Sequence, residues 1–339
     1  MRRPIRLPRD GAPLLDIFTA ARAAPPGSID FTPAQIEQIR RTVRRVPEVM
    51  VKVTGGGRRI SSVAAHLAYI SHQGRLELES DDGQRVSKEG QKDLLRSWHL
   101  ELSAGQYRQP RHQKARRAGV KLVHNITLSM PSPTPPAAVL AAAKAFAREK
   151  FGAQHRYAMA LHTHQQHPHV HLVVKAEGLD GKRLHIDKAM LREWRQDFAR
   201  MMREQGIAAN ATSRAVRGQT KRATPDSVYR AQCGGRSHAL RQAIESIAKE
   251  LSQTRTISDP ARAKLLETRK AVVAGWNDIA SKLESQGEIV LGGDVRYFAR
   301  HLPPVLTDRE RLATGIIQHL EKQTPRQELV RGRAIERTR

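Results

Sequence analysis

Residues 156–175 read RYAMALHTHQQHPHVHLVVK, and the fold turns on how this stretch is divided. RYAMALH (156–162) and PHVHLVVK (168–175) read as two strands, and the residues between them suit a hairpin or bulged turn. Side chains alternate faces along a strand, so His169 and His171 point one way while Val170 and Leu172 point the other. His162, ending the first strand, then lies beside that pair. Five of the fifteen histidines, His162, His164, His167, His169 and His171, fall within this one stretch. Three neutral imidazoles converging on one face form a divalent-metal site with positions left open for a phosphate oxygen. A His-rich turn also occurs as a solvated loop or an adventitious metal binder. His167, followed by Pro168, reads as a turn residue, and the role of His164 is open.

Outward from this hairpin, KLVHNITLSM (121–130) reads as a strand closed by PSPTPP, with an Ala-rich helix over 137–151. MLREWRQDFARMMREQG (190–206) is amphipathic, with Leu191, Trp194, Phe198 and Met201 on one face and Gly206 at the stop. On the N-terminal side, VPEVMVKV reads as a strand ended by Gly55-Gly56-Gly57. ISSVAAHLAYI follows at helical spacing, and 73–87 reads as a hairpin turning at Asp82-Gly83. Residues 1–45 read as an extension in which Thr32-Pro33 starts a helix. Beyond about residue 224 the pattern is helical, with GEIVLGGDV splitting two helices and TPRQELVRGRAIERTR as a polar, basic tail. The expected organisation is α+β: an extension over 1–45, a catalytic-sized domain over 46–222, and a helical accessory domain with a basic tail over 223–339.

The chain has 339 residues, 59 Lys+Arg against 33 Asp+Glu, and a formal charge of +26. Such an excess calls for a polyanionic partner, nucleic acid before anionic membrane. With 39% hydrophobic residues a real core is expected, and 4% aromatics argue against a multi-base stacking platform. The single cysteine, Cys233, excludes an internal disulfide and a Cys-based zinc finger. No apolar run is long enough to span a bilayer and no signal peptide is indicated, so no membrane insertion and a cytoplasmic location are expected.

Phosphodiester chemistry needs a nucleophile, and there are five tyrosines. Tyr157 is out of phase with His162 and should face away. Tyr229 and Tyr297 lie in the helical part. Tyr107 sits in the basic stretch YRQPRHQKARRAGVK and suits base or phosphate contact. Tyr69 ends the helix before the polar turn SHQG, where a core tyrosine with a wet hydroxyl is equally common. A different chemistry is open as well: His167-Pro-His169-Val-His171 matches the spacing of histidine-triad nucleotide hydrolases, although that would leave the basic charge unexplained.

LAYISHQGRLELES (67–80), HTHQQHPHVHLVVK (162–175) and NATSRAVRG (210–218) together resemble the conjugative DNA relaxases, mobilisation nucleases of the His-hydrophobic-His endonuclease superfamily. The likeness is greatest to the branch that contains the T-DNA border endonucleases, and it covers roughly 46–222. It implies a central antiparallel sheet flanked by helices, followed here by the α-helical C-terminal region. It implies that His162, His169 and His171 hold one Mg²⁺ or Mn²⁺ and that Tyr69 is the nucleophile, forming a 5′-phosphotyrosyl intermediate on single-stranded DNA at an origin of transfer. His164 stands where the family has an acidic residue; a neutral imidazole accepts a proton but brings no negative charge. Lys175 replaces a common Asn and adds a cation near the phosphate. Lys52, Arg58 and Arg59 around the triple glycine, and Arg214 and Arg217 in the third block, are candidate DNA contacts, each with a plain alternative as surface charge.

Three other functions remain open on sequence: a rolling-circle initiator or transposase with the same chemistry, a DNA-binding accessory protein with a weakened site, and the histidine-triad hydrolase. The expected partners are accessory DNA-binding proteins and the coupling ATPase of a type IV secretion system. There is no GxxxxGK[ST], so unwinding is expected from another protein.

Overall fold

A computed structural model describes residues 30–106, 120–221, 226–254 and 257–335. Most of the expected extension, the basic stretch with Tyr107 and the last four residues lie outside these. The chain divides into two compact units, Glu37–Ala211 and a second formed by Thr212–Arg339 with the residues up to Ile36.

The first unit is built on six strands: β1 (Met50–Gly55), β2 (Leu78–Ser80), β3 (Arg85–Val86), β4 (Val123–Ser129), β5 (Tyr157–His162) and β6 (His169–Lys175). They pair in the order β1-β4-β6-β5-β2-β3, every neighbour antiparallel. The β5–β6 hairpin aligns His162 with His169. Asp82-Gly83 turns the β2–β3 hairpin, with Gly83 at φ 81° where a side chain would be strained. β1 departs from the sequence reading: it starts at Met50 and includes Gly55.

Alternation gives the sheet two faces. Ile126, Leu128, Tyr157, Met159, Val170, Leu172 and Val174 face helices α5 (Pro136–Phe151) and α6 (Lys188–Glu204), where Phe146, Phe151, Trp194 and Phe198 pack edge to face. Tyr157 belongs to this core, away from the histidines. The other face packs Val123, Ala158, Ala160 and Val173 against Val63, Leu67 and Ile70 of α2 (Ile60–Ile70), with Trp98 beside the short helices α3 (Gln91–Ser97) and α4 (Leu100–Gln106). The upper part of that face, where β5 and β6 carry His162, His169 and His171, is left for polar groups.

Ahead of the sheet, α1 (Pro33–Val43) starts where Pro33 was read as its first residue. Thr32 and Gln35 exchange backbone-to-side-chain hydrogen bonds of 3.3 and 2.8 Å, a capping box. Asn210, buried, donates from Nδ2 to Thr42 Oγ1 (3.0 Å) and Glu48 Oε1 (3.2 Å), tying the end of this unit to α1 and the approach to β1.

The triple glycine serves close packing. A Cβ at Gly56 would collide with the Val123 carbonyl oxygen, and one at Gly57 with the Val63 side chain. Gly57 O accepts from Leu122 N at 2.7 Å.

In the second unit, α7 (Asp226–Cys233), α8 (His238–Thr254), α9 (Ala261–Ser285), α10 (Ile289–Arg300) and α11 (Asp308–Ile335) follow one another. Two expectations are refined here. GEIVLGGDV does split two helices, but only at Gly287 and Glu288, since its residues from Ile289 onward form the start of α10; Gly292 lies so close to Glu284 and the Ala280 carbonyl that the glycine permits helix contact. The basic segment TPRQELVRGRAI is helical, because α11 continues through it to Ile335. Trp276 is fully buried and donates to the Val216 carbonyl at 2.9 Å, and Arg269 reaches the Gly218 carbonyl.

Because the obstacle at Gly56 is backbone rather than a flexible side chain, Gly56→Ala should destabilise the first unit by about 1–3 kcal/mol. Urea unfolding should show a lowered midpoint, with Gly105→Ala, in open space on α4, close to wild type.

Candidate active site

The sheet register sets the site as rows of cross-strand neighbours. One row runs Met50, Ser129, His169, His162, and the adjacent row runs Lys52, Thr127, His171, Ala160. The rings of His162, His169 and His171 therefore converge, with centroids 4.5–5.2 Å apart. One nitrogen from each lies within 4.8 Å of the others, close enough to share a metal ion.

Each ring has one nitrogen engaged. His162 Nε2 donates to the Ile70 carbonyl at 2.6 Å, and His169 Nδ1 to the His167 carbonyl at 2.9 Å. His171 Nδ1 lies 3.5 Å from Thr127 Oγ1. A carbonyl only accepts, so the first two bonds fix the tautomers and leave His162 Nδ1 and His169 Nε2 as lone-pair donors. Burial, with the neighbouring histidines adding to it, pulls the His162 pKa down to about 4 and that of His171 to about 3; His169 is lowered too, chiefly by burial. At neutral pH these imidazoles are uncharged, the form that ligates. The donor set fits a divalent cation.

The His162–Ile70 bond also brings in the tyrosine. Ile70 is the last residue of α2, and its carbonyl is one that a helix end leaves without an internal partner. Tyr69 precedes it, 46% exposed, with its ring 6.2 Å from that of His171. The imidazole beside Tyr69 is His66, one turn earlier, stacked at 6.0 Å and 6.3 Å from His171. Its Nε2 is buried with no hydrogen-bond partner among the described residues, and burial lowers its pKa. His164, exposed on the turn, packs on His72 (4.6 Å) and His162 (5.1 Å). Sequence reading named neither His66 nor His72, although each lies three residues from Tyr69. His167 stays out of the group: its Nδ1 accepts from Ser132 N at 3.1 Å, and Pro168 precedes β6.

The candidate DNA contacts scatter. Lys52 is exposed on the histidine face, two strands from His171, or about 10 Å. Lys175 shares that face but lies four residues along β6 from His171, about 13 Å. Arg58 and Arg59 sit at the start of α2, about 15 Å from Tyr69 at its end. Arg214 and Arg217 belong to the second unit, Arg214 exposed and Arg217 donating to the Thr212 carbonyl at 3.3 Å.

Residues 79–207 match the family model "Relaxase: MobA/VirD2-like, nuclease domain", a match that holds the three converging histidines and begins after Tyr69. The chain is 28% identical over 203 residues to the T-DNA border endonuclease VirD2 of Agrobacterium fabrum, covering 54% of this chain and 43% of that protein. It is 28% identical over 191 residues to VirD2 of Rhizobium rhizogenes, covering 50% and 42%. It thus spans under half the length of these curated relatives. A solved structure titled "Molecular Basis of Vancomycin Resistance Transfer in Staphylococcus aureus" aligns with 50% of this chain and 99% of its own, at 12% identity and TM-score 0.32. That likeness is too loose to transfer any residue. The resemblance to relaxases read from the sequence is thus matched over residues 79–207, which hold the second of the three blocks.

The depressed histidines make metal-free stability pH-dependent. Below their ordinary pKa of 6.5 the unfolded chain takes up protons that folded His162 and His171 refuse until about pH 4 and 3. Stability contributed by the neutral rings is therefore present above pH 6.5 and is lost as pH falls through that window. Guanidinium midpoints in EDTA should fall from pH 7 to pH 4, less steeply in a chain carrying both His162→Gln and His171→Gln.

Proposed function

We propose that this chain, whose residues 79–207 resemble a MobA/VirD2-like relaxase nuclease domain, nicks and rejoins single-stranded DNA at an origin of transfer through Tyr69. The observation that carries the reading is the placement of Tyr69 beside His171 by a helix end that His162 holds through hydrogen bonding.

In this reading His162, His169 and His171 hold one divalent cation. When bound, it supplies Lewis-acid polarisation of the scissile phosphate and offsets charge developing there. An all-imidazole set suits Mn²⁺ better than Mg²⁺, which prefers oxygen ligands. The Tyr69 oxygen attacks phosphorus in line; the bond to the 3′-oxygen breaks, and that oxygen leaves as a hydroxyl after taking a proton. The 5′ side remains on the enzyme as a phosphotyrosyl ester. Rejoining is the reverse, one phosphate diester exchanged for another of similar energy, and needs no ATP. His164 takes the tyrosine proton in the motif-based assignment, while His66 is the imidazole packed on the Tyr69 ring.

Lys52 shares the site's face and is the DNA contact best supported by position. Lys175, Arg58, Arg59, Arg214 and Arg217 serve as more distant phosphate contacts, in keeping with the +26 charge. Accessory DNA-binding proteins, a coupling ATPase and a role in conjugation complete the proposal. Among the described residues no helix is long and apolar enough to cross a membrane.

The test is a single-stranded oligonucleotide carrying the element's own origin, incubated with Mn²⁺ or Mg²⁺ and resolved on a denaturing protein gel. A slower-migrating covalent adduct should form, vanish with EDTA and be absent in Tyr69→Phe. An adduct that persists in Tyr69→Phe moves the nucleophile elsewhere. No adduct despite tight, salt-sensitive binding would make the protein a DNA-binding accessory.

A further inference from the structure

Beyond the three histidines of the proposed site, two more imidazoles stand against its edge. The rings of His72 and His164 are 4.6 Å apart, and each is near His162, at 4.5 and 5.1 Å. One nitrogen from each of His72, His162 and His164 lies within 4.8 Å of the others, the same criterion the first trio meets.

The backbone beneath His72 is unusual. His72 and Gln73 have φ of 49° and 62°, in the left-handed region, ahead of Gly74 at 89°. Non-glycine residues are disfavoured there and persist only where the surroundings hold them. The holding bonds are present: Gln73 N donates to the Ala68 carbonyl (2.7 Å), His72 N to the Tyr69 carbonyl (3.1 Å), and Gly74 N to Ser71 Oγ (3.2 Å). This turn is what sets the His72 ring against His162 and His164. His164 lies on the turn that follows β5. The two turns thus bring His72 and His164 together beside His162.

We propose that His72, His162 and His164 form a second metal position, alternative to the first, selective for late first-row divalent cations such as Co²⁺, Ni²⁺ or Zn²⁺. The chemistry of the donors decides the class of ligand: three imidazoles and no carboxylate favour those ions over Mg²⁺ or Ca²⁺. The hydrogen bond to Ile70 decides that the two positions compete. His162 Nε2 is committed to the carbonyl, so only Nδ1 can ligate, and one lone pair serves one cation. Filling the outer position withdraws His162 from the inner trio. A late transition metal then occupies the protein at one ion per chain, in the inner or the outer position, since both offer the same three-imidazole donor set. The second position rests on imidazole geometry alone and stands or falls independently of the DNA chemistry.

The test is a titration of the full chain with Co²⁺ at neutral pH, followed by visible absorption and by equilibrium dialysis. Wild type should take one tightly bound Co²⁺. His169→Ala and His171→Ala, each of which breaks the inner trio, should still take one with affinity within about tenfold. Adding His164→Ala to either should weaken binding by more than the roughly 10- to 100-fold that loss of even an outer partner of a ligand costs. His162→Ala alone should lose the tight ion. If His169→Ala and His171→Ala lose Co²⁺ as completely as His162→Ala, there is no second position. Retention indifferent to His164→Ala would also overturn the proposal, placing the ion on other surface histidines. The two single variants back each other: circular dichroism identifies a misfolded one, and the other then decides.

Discussion

The hydrogen bond from His162 Nε2 to the Ile70 carbonyl joins the sheet to the helix that ends in Tyr69. Three consequences follow from that one contact. It satisfies a carbonyl at a helix end, where none of its own helix can. It fixes the tautomer of a buried imidazole and so decides which nitrogen faces the other histidines. It also sets the tyrosine's approach to His171. Without it, α2 would still pack through Val63, Leu67 and Ile70, but nothing in that apolar contact defines the rotation or height of its last turn.

The sheet supplies the other half of the constraint. Because β4, β6 and β5 lie adjacent, Thr127, His171 and Ala160 form one row and Ser129, His169 and His162 the next. The site is thus built on rigid elements, with loops bringing only His164 and His72. Rigid imidazoles facing a helix end are what the proposed reaction requires, since a nucleophile and a phosphate must there be held in line. The loop-borne imidazoles His164 and His72 lie beside His162, on its turn side.

Much of this was legible in the sequence where local rules and tertiary packing agree. ISSVAAHLAYI forms a helix over the residues its apolar spacing predicts, since the face that spacing creates is the one the sheet buries. Asp82-Gly83 turns a hairpin because glycine is at ease with positive φ there. The paired faces of β5 and β6 follow from alternation alone. The misreadings came where one residue's meaning depends on a distant partner. Gly292 looks like part of a break until Glu284 and Ala280 lie alongside, when glycine becomes the residue that fits. The triple glycine reads only as the end of a strand until the Val123 carbonyl and the Val63 side chain are seen to lie where side chains at Gly56 and Gly57 would go. Likewise His66 and His72 carry no signal in isolation, because only the landing point of α2 on the sheet places them among the other histidines.

Alternation also dictates where this chain can change length. Along β4, β5 and β6 every second residue belongs to the apolar layer under α5 and α6, and those between belong to the site face. One residue gained or lost inside a strand would turn imidazoles inward and leucines outward, ruining both layers together. The turn at 163–168 is free of that parity: its residues up to His167 are exposed and stand outside the ladder. The hairpin therefore behaves as a ruler with a fixed graduation of two and one adjustable joint. Within this hairpin a change in length is accommodated at that joint, and every such change alters the reach of His164 while leaving His162, His169 and His171 in place.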